Sequence, residues 1–129
     1  MKYFISQPMR GRTGIVIKTE RKHIEELIRK YDSDAEIIDT YIESSIVAED
    51  SEHLKNPDVH FLGRAISMME DADVVVLATG WKNSRGCRIE KQVAEQYGIR
   101  FETQENLERG NSTVICTPKK YVTQHYTKI

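Results

Sequence analysis

The sequence predicts an α/β domain in which a mainly parallel sheet of about five strands is covered by helices on both faces. Short apolar runs alternate along the chain with longer segments in which apolar residues recur at helical spacing. No internal repeat or low-complexity stretch interrupts this alternation. A chain of 129 residues is long enough to bury a core of its own, so we expect residues 1–129 to form a single domain.

The first half of the chain contains two predicted strands and one predicted helix. The first strand covers residues 3–5 and stops before Pro8, where a loop rich in glycine and arginine begins. Apolar residues then follow at helical spacing: Ile17, Ile24, Leu27, Ile28 and Tyr31. A second strand is predicted at residues 35–42. Residues 43–57 are polar and acidic, and we expect them to form a loop over the sheet.

The second half repeats the pattern. We predict a helix over 61–69, a buried strand over 73–77, a helix from Arg85, a strand over 100–103, a polar connection over 105–111 and a fifth strand over 113–116. The apolar face of the helix from Arg85 is predicted from four residues: Ile89, Val93, Ala94 and Tyr97. Such an alternation favours a Rossmann-like three-layer sandwich with a mainly parallel sheet.

Composition and charge exclude several classes of function. The 19 basic and 20 acidic residues give a net charge of −1, so a nucleic acid polymer is not expected as a partner. No apolar run is long enough to span a bilayer, and no signal-peptide pattern opens the chain, so we expect a cytoplasmic protein without membrane contact. The two cysteines and four histidines lack ligand spacing, which predicts neither a metal site nor a cofactor.

The segment GWKNSRGCRIE at 80–90 carries the strongest functional signal. It follows a buried strand and leads into a helix, and ligands of open α/β sheets bind at the carboxyl ends of the strands. Ser84 is a good helix N-cap, because its hydroxyl accepts an otherwise unpaired amide of the first turn. Glu90 then lies one to two turns into the helix, close to the predicted pocket.

Several motifs together resemble the nucleoside 2-deoxyribosyltransferase-like superfamily. They are YFISQPMRG at 3–11, ADVVV at 72–76, Gly80-Trp81, NSRG at 83–86 and Glu90. Over roughly residues 1–100 the chain is similar to small phage and bacterial members, which are related to the 2'-deoxynucleoside 5'-phosphate N-hydrolases. The resemblance implies a protein of the cytoplasm, or of the host cytoplasm if a phage encodes it.

The resemblance also implies roles for individual residues. Glu90 matches the family nucleophile, which attacks the anomeric carbon of a deoxyribosyl group, and Tyr3 matches a tyrosine placed near it. Ser84 matches the serine of the phosphate-hydrolysing branch. The implied substrate-binding residues are Ser6, Arg10, Gly11, Arg12, Trp81, Asn83, Ser84 and Gly86. The arginines suit a 5'-phosphate, whereas Trp81 either stacks on a base or anchors the packing.

One position departs from the family pattern and leaves two functions open. The family has an aspartate eight residues before Asp73, where this chain has Ala65. The retained Glu90 favours a glycosidic-bond hydrolase or deoxyribosyltransferase, whereas Ala65 favours a catalytically silent protein that senses or sequesters a nucleotide-derived ligand. Relatives share sites between subunits, and the apolar residues Met68, Met69, Tyr121 and Tyr126 also favour a homo-oligomer.

Overall fold

A computed structural model describes residues 1–40 and 53–115. Its centre is a four-stranded parallel sheet made of β1 (Lys2–Ser6), β2 (Glu36–Ile37), β3 (Val74–Leu77) and β4 (Arg100–Thr103), in the order β2-β1-β3-β4. In the register of the central pair, Ser6 lies opposite Leu77. The α/β class and the parallel sheet are therefore confirmed.

Four helices accompany the sheet in the described part of the chain: α1 (Gly14–Tyr31), α2 (Pro57–Met68), α3 (Arg85–Gln96) and α4 (Gln104–Glu108). Short 3-10 helices cover Met69–Asp71 and Trp81–Asn83. Each of the four helices begins at a residue whose side chain accepts an amide of the first turn: Thr13, Asn56, Ser84 and Thr103. The predicted cap at Ser84 is among them.

The core has two parts, one on each face of the sheet. Because strand side chains alternate between faces, Tyr3 and Ile5 pack with α1 and α4, whereas Phe4 packs toward α2 and α3. Met69 belongs to the second part and is 1% exposed, so the expectation that it lies on the surface is wrong. Met68 is partly buried against the same cluster, and Tyr121 and Tyr126 lie outside the described residues.

Two predicted strands differ from the structure. The second strand is confined to Glu36–Ile37, and residues 41–42 of its predicted span lie outside the described residues. The predicted fifth strand is wrong over residues 113–115, which form bends, while Cys116 is not described. Ser112 accepts the amide of Ile115, and Ile115 is buried against the first part of the core. The apolar residues here fill the core from a loop, so the described sheet has four strands.

The connections also differ in part. Residues 105–108 of the predicted polar connection belong to α4, because Thr103 caps a first turn and Leu107 packs into the core. The last residue of the polar loop predicted at 43–57 is instead the first residue of α2, Pro57. Residues 43–52 of that loop lie outside the described part. None of the helices within the described residues is long and apolar enough to cross a membrane.

The helix predicted from Arg85 is present, and its predicted apolar face is correct at Val93 and Ala94 but wrong at Ile89 and Tyr97. The buried residues of α3 are Cys87, Glu90 and Ala94, whereas Ile89 and Tyr97 are each 39% exposed. The helix is therefore turned so that a carboxylate, and not an isoleucine, faces the sheet. This orientation brings Glu90 to the end of β1.

Candidate functional site

The centre of the candidate site is a hydrogen bond between the last residue of β1 and the second turn of α3. Ser6 Oγ donates to Glu90 Oε1 at 2.6 Å, and both residues are buried. Ser6 shares a strand face with Phe4, which packs toward α3, so strand alternation directs its hydroxyl to that helix. The two residues lie at the carboxyl edge of the sheet, where the predicted pocket was placed.

Burial raises the pKa of Glu90 to about 7, and the hydrogen bond from Ser6 opposes the rise without cancelling it. Among the described residues Ser6 is its one hydrogen-bond partner. Glu102 of β4 is equally buried, but its Oε1 accepts both the Thr103 amide and the Asn106 side chain. Glu102 thus holds the start of the next helix through two hydrogen bonds, whereas Glu90 has one and keeps acceptor capacity for a ligand.

Cys87 and Ser84 extend the cluster around Glu90. Ser84 Oγ accepts the Cys87 amide at 3.3 Å as the cap of α3. Burial raises the pKa of the Cys87 thiol, while hydrogen bonds with Ser6 and Ser84 lower it. The thiol therefore packs as a neutral group beneath the loop, and Ser6 connects it to Glu90.

Arg12 binds α1 and lies beside the loop after β3. Its guanidinium donates to both carboxylate oxygens of Glu20 and is about one-third exposed. A Cβ on Gly80 would lie 3.5 Å from Arg12 Nη2 and 3.8 Å from the Pro8 ring. Gly80 has a φ of +91°, a conformation that favours glycine, so the two loops meet at a residue suited to this turn.

The rest of the arginine loop is open to solvent. The amide of Arg12 donates to the Met9 carbonyl at 3.1 Å, and Gly11 supplies the positive φ that this turn needs. Arg10 and Gly11 are both exposed. The first turns of α1 and α3 contain no acidic residue, so the positive ends of both helix dipoles are not offset there. This edge of the sheet is electrostatically suited to an anion.

The remaining predicted ligand residues lie in the loop after β3 and at the start of α3. Trp81 is partly buried against the second part of the core, with the ammonium groups of Lys82 and Lys91 each 5.8 Å from its ring centre. This packing agrees with the anchor alternative. Asn83 is exposed, and a Cβ on Gly86 would meet Leu62 of α2 at 4.0 Å.

Tyr3 is the predicted site residue that the structure places elsewhere. Its side chain lies on the α1 face of the sheet, three residues before Ser6, and its hydroxyl donates to Asp32 Oδ2 at 2.8 Å. Burial, together with the hydrogen bond to Asp32, raises the pKa of the Tyr3 phenol. Strand alternation turns Tyr3 and Ser6 to opposite faces, so only Ser6 reaches Glu90.

Two residues that the sequence analysis did not single out belong to this edge. Glu20 holds Arg12, and Gln7 is 6% exposed next to Ser6, with its Nε2 donating to the Ile17 carbonyl at 2.9 Å. For the Arg12–Glu20 ion pair, the only signal in the sequence was a weak one, an acidic residue eight positions after Arg12. The polar residue directly after a buried strand was a stronger signal for Gln7, since strand ends define the ligand edge.

Comparison with known proteins identifies the family. A family model described as Domain of unknown function (DUF4406) matches residues 1–103, which is most of the chain. The chain belongs to this family. The matched span includes all four strands together with Ser6, Arg12 and Glu90, so the candidate site lies within the family domain. No curated protein and no solved structure matches the chain.

The described residues at this edge do not form a metal-binding cluster. Within residues 1–40 and 53–115 no group of three or more histidine, cysteine, aspartate or glutamate side chains is placed to hold a metal ion. Glu90 instead has a hydroxyl and a thiol as polar neighbours. The chemistry available to the described site is that of a carboxylate beside hydrogen-bond donors and arginines.

Proposed function

We propose that this protein handles nucleotides and cleaves or transfers the N-glycosidic bond of a deoxynucleoside 5'-phosphate, with Glu90 as the nucleophile. The observation that carries the proposal is the buried Glu90 carboxylate at the carboxyl edge of the sheet, held by Ser6 at 2.6 Å. Burial of a carboxylate with a single hydrogen-bond partner costs stability, and perturbed carboxylates are concentrated at functional sites. The resemblance to the nucleoside 2-deoxyribosyltransferase-like superfamily gives the same residue this role.

The proposed reaction has two steps. An oxygen of the ionised Glu90 forms a bond to the anomeric carbon while the bond from that carbon to the base nitrogen breaks. The base leaves with the bonding electron pair and takes a proton from solvent. Water, or a second base in a transferase, then displaces Glu90 from the glycosyl ester, and the carboxylate is restored.

The arginine loop supports a phosphate on the substrate. Arg12 is held in place by Glu20, whereas Arg10 is exposed beside it, and the first turns of α1 and α3 offer backbone amides. Guanidinium groups and helix N-termini are the groups that bind phosphate most often. Ser84, at the start of α3, adds a hydroxyl on the same edge.

Measurement of free base tests the enzyme directly. The protein is incubated with the four common 2'-deoxynucleoside 5'-monophosphates, and released base is measured by chromatography. We expect release by the wild type and by Glu95→Gln, whose carboxylate is exposed on the same helix, but none by Glu90→Gln. Equal release by Glu90→Gln would exclude Glu90 as the nucleophile.

A second candidate function is a catalytically silent nucleotide-binding protein, and Ala65 favours it. Gly86 of α3 faces Leu62 of α2. Ala65 lies about one helical turn after Leu62, and Glu90 lies about one turn after Gly86, so Ala65 and Glu90 are at about the same level of the two helices. Ala65 packs against the second part of the core, so this level of α2 offers no acid to protonate a leaving base. Loss of a general acid costs about 10²–10⁴-fold in rate.

The two candidates separate in a comparison of the wild type with Ala65→Asp. If Ala65 silences the chemistry, both proteins bind deoxynucleoside monophosphates in calorimetry and base release appears or rises only with Ala65→Asp. Because a second carboxylate raises the pKa of Glu90, the rise is expected most clearly above pH 7. Rapid release by the wild type would favour the enzyme, and tight binding without release by either protein would favour a sensor.

The homo-oligomer inferred from the resemblance is part of the proposal. Exposed apolar side chains on the described surface include Ile15 at 80% and Val59 at 62%, both in the first turns of helices. We expect a two-fold dimer in light scattering at micromolar concentration. A monomer under these conditions would contradict the oligomer and leave the chemistry at Glu90 unaffected.

A further inference from the structure

Gln7 carries a buried polar atom that the described structure does not satisfy. The residue is 6% exposed, and its Nε2 donates to the Ile17 carbonyl at 2.9 Å. Its Oε1 is buried and has no hydrogen-bond partner among the described residues. Native structures leave few such atoms, and each one calls for a partner or a function.

The orientation of the Gln7 amide follows from its one hydrogen bond. A backbone carbonyl can only accept, so the NH₂ group must face Ile17 and the oxygen must occupy the other side of the amide. Turning the amide over would put two oxygens against each other and lose the bond. The acceptor therefore faces away from Ile17 in the only arrangement that keeps this contact.

Gln7 also lies at the place where a ligand would meet the first strand. It follows Ser6 directly, and its side chain reaches the beginning of α1, so it occupies the crevice between the end of β1 and that helix. The next residue, Pro8, lies against Gly80 in the loop after β3. Ser6 and Gln7 thus lie next to each other at the end of β1. Ser6 is hydrogen-bonded to Glu90, and Gln7 has an unused acceptor.

We propose that Gln7 is a specificity residue whose Oε1 accepts a hydrogen bond from a hydroxyl group on the sugar of the ligand. The inference rests on the proposed function, since it takes the ligand of Glu90 to be a glycosyl phosphate. An unused amide oxygen requires a donor. A cationic donor is disfavoured by Arg10 and Arg12 and by the helix N-termini on this edge, which leaves a neutral donor.

The sugar supplies that donor better than the base does. Glu90 approaches the anomeric carbon, and Ser6, its partner, is bonded to Gln7 through one peptide link. The two side chains turn to opposite faces, Ser6 to α3 and Gln7 to α1, so a ligand that reaches both must span the end of β1. A sugar whose anomeric carbon lies near Glu90 spans this end with its ring hydroxyls. A site built to hydrogen-bond a hydroxyl discriminates strongly against the analogue without it, because its own polar group is then left unpaired.

Calorimetry with nucleotides of one base tests the inference. The ligands are a ribonucleoside 5'-monophosphate and its 2'-deoxy and 2',3'-dideoxy analogues, and the proteins are the wild type and Gln7→Met. We expect the wild type to bind the dideoxy ligand about tenfold more weakly than the best hydroxylated ligand. In Gln7→Met this ratio falls to about one, because methionine keeps the length of the side chain and removes the acceptor.

The possible results separate Gln7 from the proposed function as a whole. Equal weakening of all three ligands by Gln7→Met, or a wild type that binds the dideoxy ligand as well as the others, would overturn the role of Gln7 and leave nucleotide binding intact. The second measurement needs no variant, so it decides the question even if Gln7→Met does not fold. Failure of the wild type to bind any of the three would reject the proposed function and this inference together.

Discussion

The hydroxyl of Ser6 donates a hydrogen bond to the carboxylate of Glu90, 84 positions further along the chain. The bond joins the end of β1 to α3 and favours the ionised carboxylate, whereas burial favours the protonated one. Burial has the larger effect, because the pKa of Glu90 is raised to about 7. A change of pH near neutrality therefore alters the charge at the centre of the candidate site.

The stability of the protein should fall as pH rises through this range. The pKa of Glu90 increases on folding from an ordinary 4.5 to about 7, so the folded state holds the proton more tightly than the unfolded state. The favourable contribution is complete below pH 4.5 and is lost by about pH 7. At 1.4 kcal/mol for each pH unit, the loss is about 3 kcal/mol.

Urea unfolding of Glu90→Gln across pH measures this effect. We expect the variant to match the wild type within about 1 kcal/mol near pH 4.5 and to be more stable by about 3 kcal/mol at pH 8, because glutamine remains neutral. Glu95→Gln, on the exposed side of α3, is the matched control and should track the wild type at both pH values. A constant difference between Glu90→Gln and wild type across pH would contradict a raised pKa.

Removal of the Ser6 hydroxyl should raise the pKa of Glu90 further. The hydroxyl stabilises the ionised carboxylate, and hydrogen bonds to charged groups contribute about 1.5–3 kcal/mol, so the increase in Ser6→Ala should be about one to two pH units. Carbon-13 NMR titration of the glutamate carboxyl groups measures it without any assay of activity. Ser33→Ala, at an exposed position, is the control. An unchanged titration of Glu90 in Ser6→Ala would show that the hydroxyl does not hold the ionised form.

Much of the fold was predictable because local rules and burial agree. Strand β3 and the start of α3 at Ser84 follow directly from an apolar run and a capping side chain. The fifth strand failed at Ile115, whose apolar character reflects core packing from a loop and not strand pairing. An apolar run favours burial, but it does not say whether the backbone has strand partners within reach.

The site was predictable by position more than by contact. Glu90 was predicted from its place after a strand and a glycine loop. The apolar period of α3 was right at Ala94 but wrong at Ile89, which is outward where Glu90 is inward. Contacts between residues far apart in the sequence, such as Glu90 with Ser6, depend on the order of the strands and on which face of the sheet each side chain occupies. The alternation of strand side chains places Tyr3 away from Glu90, because its side chain faces α1.

Tyr3→Phe should reduce stability without weakening nucleotide binding. Partial burial raises the pKa of Asp32, but hydrogen bonds from Tyr3 and from the N-terminal ammonium outweigh this and lower it. Loss of the phenol should cost about 1 kcal/mol at neutral pH, and less once Asp32 is protonated in acid. Chemical unfolding at pH 7 and pH 3, with calorimetry of nucleotide binding, measures both. Weaker binding with unchanged stability would return Tyr3 to the ligand site.

Two glycines should respond in opposite directions to alanine. Gly80 has a positive φ, so Gly80→Ala should destabilise the protein by about 1 kcal/mol and disturb the contact with Arg12. Gly63 lies within α2, where an added Cβ meets nothing within 4 Å, so Gly63→Ala should stabilise by about 0.5–1 kcal/mol. Thermal unfolding of both variants tests the pair. Destabilisation by Gly63→Ala would mean that α2 does not hold this residue as described.

Arg10→Ala should weaken binding of a 5'-monophosphate far more than binding of the matching nucleoside. Arg10 is exposed in the loop after β1, and its neighbour Arg12 is already paired with Glu20, so Arg10 is the arginine that can turn to a phosphate without breaking an ion pair. A charge-assisted hydrogen bond contributes about 1.5–3 kcal/mol, which is tenfold or more in affinity.

Arg29→Ala, in the last turn of α1, is the control, because it removes the same charge at the opposite end of that helix. Calorimetry at two salt concentrations should show a smaller salt dependence for Arg10→Ala than for Arg29→Ala, since Arg10, unlike Arg29, is proposed to bind the phosphate. Equal losses for the monophosphate and the nucleoside would assign the phosphate to other residues on this edge, of which Ser84 and the first turn of α3 are the next to test.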